Sequence, residues 1–177
     1  MSDIRTAILG AGCFWCIDAA FRRVRGVKSV ESGYCGGHVD NPTYEQVCRG
    51  DTGHAEVVKI TYDELLIEYS ELLKMFFALH DATTLNRQGN DVGTQYRSVI
   101  FYHDDQQKLL AEHAIEHEQE KFDYDIVVTE LSPAKTFYPA EEVHQGYYNK
   151  NPHQQYCSVL IAPKLAEFEK QFDPYLD

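Results

Sequence analysis

The chain has 177 residues, 44% of them hydrophobic and 25% charged, with a formal net charge of −12 and a sequence pI near 5.0. So acidic a surface repels nucleic-acid phosphates and anionic membranes alike, and no apolar run approaches the ~20 residues that span a bilayer. The length fits one domain, 1–177, with room for a substantial core.

The N-terminal run MSDIRTAILGAG lacks the basic start and apolar stretch of a secretory signal, so the expectation is a cytosolic protein. Thr6–Leu9 is short, apolar and followed by Gly-Ala-Gly, which predicts a buried strand ending in a tight turn. Ile17, Ala20, Phe21 and Val24 then recur at helical spacing, and Gly26 closes the helix. Cys13 therefore falls at a helix N-terminus, where unpaired N–H groups and the positive dipole end favour a thiolate.

A strand over Val27–Gly33 is followed by a glycine-rich loop over 34–55. Residues 56–62 alternate as a strand with one buried face. Helical spacing over Glu64–Leu79 predicts a helix whose core side includes Leu65, Leu72, Leu73, Phe76 and Leu79. A second long loop, 80–95, precedes a strand over Tyr96–Tyr102, a polar helix over about 104–121 and a strand over Ile126–Thr129. Helices around Glu141–Lys150 and Pro163–Phe172 complete the chain. Strands and helices without a regular βα repeat predict an α+β fold, and the two long loops are the places to look for a site.

The five cysteines, Cys13, Cys16, Cys35, Cys48 and Cys157, are odd in number and do not read as a disulfide framework. The stretch Cys13-Phe14-Trp15-Cys16 admits a redox pair, half of a metal site or an ordinary buried helix start. Two consecutive aromatics cannot both face the core from one helix start, so at least one borders a cleft, and an aromatic wall beside a thiol suits a small apolar group such as an S-methyl. Zinc would need a second ligand pair. Cys35 with His38, or Cys48 with His54, are the candidates, and neither has compact ligand spacing. Glu56, between a glycine-rich loop and a buried-looking strand, is a candidate proton donor, because an apolar surrounding raises a carboxyl pKa. Tyr44 and Tyr96 flank it in sequence. Asp91 suits either orienting a substrate amide or water, or capping a turn. Cys157 follows a turn-rich stretch from which a mobile thiol could reach the first.

Several of these segments converge on one family. Gly12-Cys13-Phe14-Trp15, Ser32-Gly33-Tyr34 with Gly36-Gly37, Asn41-Pro42-Thr43-Tyr44, Gly53-His54-Ala55-Glu56, Asp91 to Ser98 and Ala140 to Gln145 resemble, in order, peptide methionine sulfoxide reductase A. The resemblance implies a ferredoxin-like α+β core wrapped by long loops, and reduction of methionine S-sulfoxide, free or in proteins, to methionine. It makes Cys13 the nucleophile and gives the substrate methyl to Phe14 and Trp15. Glu56, with Tyr44 and Tyr96, would bind the sulfoxide oxygen, and Asp91 would lie near the substrate backbone or a site water. A second thiol would condense with the Cys13 sulfenic acid, and thioredoxin or a similar dithiol would reduce the disulfide. No metal and no bound organic cofactor are implied, and a monomer is expected. Many members carry glycine where this chain has Cys16. Both Cys16 and Cys157 are candidates for the resolving thiol, and the match around Cys157 favours the latter. Cys35 and Cys48 are read as structural. The rival from another class is a zinc-stabilised binding module built from Cys13, Cys16, Cys35 or Cys48 with His38 or His54.

Overall fold

In the computed structural model, which describes residues 3–177, a six-stranded sheet is ordered β7-β6-β1-β3-β2-β8. Its centre is made by β1 (Ile4–Ala11), β2 (Val27–Cys35), β3 (Ala55–Asp63) and β6 (Ser98–Tyr102), all neighbours antiparallel. With α1 (Phe14–Phe21) between β1 and β2, and α3 (Tyr69–Ala78) between β3 and β6, the chain follows the β-α-β-β-α-β order of the ferredoxin-like core. β3 lies between β1 and β2, which is why no simple βα repeat is visible along the chain.

One face of this sheet, through Ala7, Leu9, Val30, Val58, Ile60 and Ile100, packs on α1, α3, α4 (Asp105–Gln119) and α6 (Ala162–Gln171). The other face is covered near the C-terminal end of β1, where Ile8, Cys35, Ala55, Val57, Val99 and Phe101 meet Ala134 and Phe137. That second cover explains why Val57 is as buried as Val58, although alternation predicted a single buried face. Among the described residues, no helix is long and apolar enough to cross a membrane.

Five predicted elements differ. The first helix, expected to run to Gly26, ends at Phe21, and Val24 lies beyond it in an isolated bridge to Leu176. The strand expected at Ile126–Thr129 is instead β7 at Glu130–Pro133, parallel to β6. The earlier residues dock on their neighbours: Val127 N–H donates to Gln119 Oε1 and Val128 N–H to Ala82 O. The helix expected from Glu64 begins only at Tyr69, because β3 runs on to Asp63 and a turn through Leu66 N–H to Asp63 O intervenes. Leu65, expected in the core, is 68% exposed. The helix expected over 141–150 is broken into a 3-10 turn (Glu142–His144) and a single turn, α5 (Tyr147–Lys150). Gly146 between them is left-handed and cannot continue a helix. Tyr96 ends a 3-10 turn (Thr94–Tyr96) instead of opening β6.

The two long loops hold short elements that hydrophobic periodicity does not reveal. α2 (Tyr44–Cys48) starts with a capping box in which Thr43 and Gln46 satisfy each other's backbone N–H groups. β4 (Arg87–Gln88) and β5 (Asp91–Val92) form a small hairpin, and β8 (Tyr138–Pro139) adds an edge to β2.

Candidate active site

The site forms where β1 ends and α1 begins. Gly12 has φ +87°, and a Cβ there would stand 2.8 Å from Cβ of Gln88, so the turn that presents Cys13 closes against β4 only with glycine. Cys13 is the N-cap of α1, with extended backbone, and its C=O accepts from Cys16 N–H at 3.3 Å.

Register fixes the acid opposite. Glu56 pairs with Tyr34 across β2–β3, beside the end of β1. Its side chain has no exposed surface. Oε1 accepts the backbone N–H of Phe14 at 3.1 Å, while Oε2 is buried without a hydrogen-bond partner. Burial pushes the Glu56 carboxyl up to about 8 against the opposing pull of the Phe14 N–H, and the Asp91 charge adds to the rise. At neutral pH Glu56 is therefore mostly a neutral acid.

The expected thiolate at Cys13 is not favoured in this state. Burial holds the thiol well above its usual range, and the charges of Glu56 and Asp91 raise it further; the Trp15 backbone N–H opposes them. The helix-end effect is outweighed first by desolvation and then by the Asp91 carboxylate, with Glu56 adding to it once it ionises.

Phe14 is fully buried, whereas Trp15 is partly exposed in an aromatic cluster. The indole stacks on Tyr147 at 3.9 Å between centroids and meets Tyr156 edge-on at 5.7 Å. Its Nε1–H donates to His144 Nδ1 at 3.1 Å. Tyr44 packs against Phe14, Trp15 and His144. The hydroxyls of Tyr44 and Tyr96 both lie against the Cys48 thiol, and burial followed by the Glu56 charge raises both phenols. Cys48 itself is exposed at this rim and not packed in the core, as a structural reading would have it.

A cavity of about 190 Å³ opens beside Cys13, lined by Cys13, Cys16, Gln88, Asp91, Tyr156 and Lys164 among others. Tyr156 O–H donates to Asp91 Oδ2 at 2.5 Å and also lies against the Cys13 thiol. Cys13, Phe14, Trp15, Glu56, Tyr44, Tyr96 and Asp91 are thus gathered in one neighbourhood. Cys157 is not among the cavity's residues; it has no exposed surface and packs in the main core at the start of a π turn (Cys157–Ile161).

Sequence reasoning assigned no role to Tyr156, His144, Tyr147 or Glu141. Glu141 braces the site by accepting Tyr34 O–H at 3.0 Å and Tyr44 N–H at 2.9 Å. The signal lay in Ala140–Gln145, which carried the family resemblance without a chemical assignment. The donors of the zinc alternative are dispersed. Cys35 is on the opposite sheet face, and both ring nitrogens of His54 are taken up by backbone groups of Gly37 and Val39. No cluster of three or more His, Cys, Asp or Glu side chains suited to a metal occurs among the described residues.

Comparison with known proteins gives the same direction from independent information. A family model described as peptide methionine sulfoxide reductase matches residues 5–175. Peptide methionine sulfoxide reductase MsrA of Acinetobacter baumannii (strain AYE) is 60% identical over 169 residues, 96% of each chain. Reduced Mxr1 from Saccharomyces cerevisiae superposes with a TM-score of 0.81 at 37% identity, covering 85% of this chain and 87% of that one. Mxr1 in complex with Trx2 superposes with a TM-score of 0.58 at 26% identity, over 81% and 84% of the two chains.

Proposed function

The chain belongs to the peptide methionine sulfoxide reductase family, and from that premise we propose that it reduces the S epimer of methionine sulfoxide, free or in oxidised proteins, by the chemistry of Cys13 and Glu56. The observation that carries this reading is Glu56 itself: a buried, mostly protonated carboxylic acid, pinned by Phe14 N–H and with Oε2 unpaired beside Cys13.

A sulfoxide oxygen leaves poorly until it is protonated. Glu56 donates a proton to it, and the hydroxyls of Tyr44 and Tyr96 bind the same oxygen. The developing positive charge on the substrate sulfur then favours ionisation of Cys13, whose thiol burial otherwise holds neutral. Cys13 attacks the sulfur. A bond forms between the two sulfurs as the protonated oxygen departs as water, taking the Glu56 proton and the former Cys13 thiol proton. Water then attacks the Cys13 sulfur, and the sulfur–sulfur bond breaks with its electron pair going to methionine. Cys13 is left as a sulfenic acid while the released proton returns to Glu56. Phe14 and Trp15 hold the S-methyl, which fixes the face of sulfur that Cys13 meets. Asp91, tied to Tyr156, is placed for the substrate backbone or a site water.

The second step joins Cys13 to another thiol. Sequence favoured Cys157, but geometry supports Cys16, which lines the same cavity as Cys13, whereas Cys157 is packed in the core. On a regular helix the Cβ atoms of residues three apart lie about 5–6 Å from each other, against about 3.8 Å in a disulfide. Cys13 lies outside the helix as its N-cap, with extended backbone, so its side chain is not held to the regular helical spacing from Cys16. A dithiol protein of the thioredoxin type then reduces the disulfide by exchange, as the solved complex of the yeast relative with Trx2 suggests for this chain. All five cysteines are free thiols, which fits a single-domain repair enzyme working as a monomer in the reducing cytoplasm.

The test is one turnover of the fully reduced protein with methionine S-sulfoxide and no added reductant, followed by peptide mapping. One equivalent of methionine with a Cys13–Cys16 bond is expected. A Cys13–Cys157 bond returns the resolving role to the C-terminal segment, and no methionine with Cys13 still a thiol overturns the assignment.

A further inference from the structure

The cavity beside Cys13 separates its charges. Two carboxyl groups, Glu56 and Asp91, act on Cys13 and oppose its ionisation. Around Cys16, three residues along the same helix, the nearest influential charge is Lys164 on α6. Lys164 lines the cavity with both thiols, is only half-exposed, and forms no ion pair with a carboxylate among the described residues. Asp91, which lines the same cavity, is engaged by the Tyr156 hydroxyl. Burial opposes ionisation of the Cys16 thiol, and Lys164 is the cation that counters it. Its field also reaches His80, a buried residue whose ring is bonded to Phe76 O and Ser98 Oγ. Cys157 has only burial acting on its thiol and no counter-charge.

We propose that Lys164 is the positioning residue of the second step, its ammonium supporting the thiolate that Cys16 must become in order to attack the Cys13 sulfenic acid. This rests on the reading of Cys16 as the resolving thiol. In the step, the Cys16 sulfur bonds to the Cys13 sulfur and the Cys13 S–O bond breaks. Cys16 is oxidised and Cys13 reduced by one unit each, and the oxygen departs with the sulfenic proton and the former Cys16 thiol proton as water. The same arrangement directs the reductant. Cys16 is the more buried of the two sulfurs and has Lys164 on the same cavity to receive its developing charge, so it is the sulfur that leaves, and the incoming dithiol attacks the more accessible Cys13.

The experiment compares wild type, Lys164→Met and Lys164→Arg, all fully reduced, in a single turnover with methionine S-sulfoxide, timing methionine release, sulfenic acid (trapped with dimedone) and disulfide separately across pH. Methionine keeps the stem and the helix propensity of lysine without its charge. The expected result is a normal methionine burst in Lys164→Met, followed by sulfenic acid that persists at neutral pH. Disulfide formation slows by about threefold for each tenfold loss of thiolate, because a more basic thiolate is the better nucleophile. At alkaline pH the variant catches up with or overtakes wild type, a crossing that a packing defect does not produce, and Lys164→Arg restores the neutral-pH rate. Parallel pH profiles, no rescue by arginine or a burst lost with the charge would each overturn the proposal. Cys16→Ser separates the two readings: if it still forms a Cys13 disulfide at the wild-type rate, the assignment of Cys16 fails. If it stalls at sulfenic acid while Lys164→Met resolves normally, only the role of Lys164 fails.

Discussion

The backbone N–H of Phe14 donates to Oε1 of Glu56 at 3.1 Å, joining the first turn of α1 to β3 and leaving Oε2 buried and unpaired. The residue proposed to wall the methyl site thereby also fixes one oxygen of the acid. Glu56→Gln keeps an oxygen for Phe14 and removes the transferable proton. The first-turnover rate of methionine formation should fall by about 10²–10⁴-fold, the contribution of a positioned general acid, with the Cys13 thiol still reactive toward a small alkylating agent. A variant with near-wild-type turnover would remove the acid role from Glu56.

With the carboxyl pushed up to about 8, the acid is lost as pH rises, so the first-turnover rate should fall through about pH 8. Stability follows the same group. The folded carboxyl binds its proton more tightly than the unfolded one, whose ordinary value is 4.5, so its contribution is complete below 4.5 and is lost as pH rises toward about 8. Urea unfolding across that window should show a decline of at most about 1.4 kcal/mol per pH unit from this group, absent in Glu56→Gln. Equal slopes for the two proteins would contradict the raised value.

How far the sequence reached can be judged residue by residue. The helix after Cys13 was legible because Ile17, Ala20 and Phe21 repeat at helical spacing and are buried; Val24 continues the spacing and is buried too, but beyond the end of the helix at Phe21. Glu56 was singled out because it directly follows a glycine-rich loop and leads a strand with a buried face, and it is fully buried. The short α2 was not, since its existence rests on the reciprocal cap between Thr43 and Gln46 instead of on hydrophobic periodicity. The displacement of β7 by four residues was equally hidden, because Gln119 and Ala82, distant in sequence, engage the segment just before it. The partnership of Tyr156 with Asp91 spans 65 positions and leaves no local pattern.

Cys157 offers a test of burial against chemistry. It lies in the main core with no exposed surface. Cys157→Ser places a hydroxyl in an apolar surrounding, which costs about 1–3 kcal/mol without a new hydrogen bond. Thermal unfolding should move down accordingly, while sulfenic acid resolution in the first turnover stays at the wild-type rate. Accumulated sulfenic acid in this variant would show that the C-terminal segment swings inward after all.

Trp15 depends on His144 for orientation, since Nε1–H has Nδ1 as its acceptor at 3.1 Å. His144→Phe retains a flat ring against Tyr44 and leaves the indole N–H unpaired. The KM for methionine sulfoxide should rise by about fivefold to tenfold, equivalent to roughly 1–1.4 kcal/mol, with a smaller change in kcat. His144→Gln, which keeps an acceptor, should recover most of the loss. If glutamine and phenylalanine behave alike, the hydrogen bond does not set the wall of the methyl site.

Asp18 is the acidic residue on α1 that faces inward. Fully buried, it accepts from Arg22 Nε, from Ser32 O–H at 3.2 Å and from Gly146 N–H at 2.8 Å. Arg22 in turn donates to Val30 O at 2.8 Å. The carboxylate therefore ties the helix that carries Cys13 to β2 and to the left-handed turn preceding Tyr147, whose ring stacks on Trp15. Asp18→Asn turns one acceptor into an amide donor facing donors and leaves the Arg22 charge unpaired. Asp18 is fully buried but Arg22 keeps about a third of its side chain exposed, so the cost falls below the roughly 3–5 kcal/mol of a fully buried pair, to about 1–3 kcal/mol, and the urea midpoint should drop to match. Because the same contact anchors the turn before Tyr147, KM for methionine sulfoxide should rise in the fraction that remains folded. An unchanged midpoint would mean that solvent reaches Arg22 readily enough to replace Asp18, and that the turn is held by Gln145, whose side chain bonds both backbone groups of Ser32.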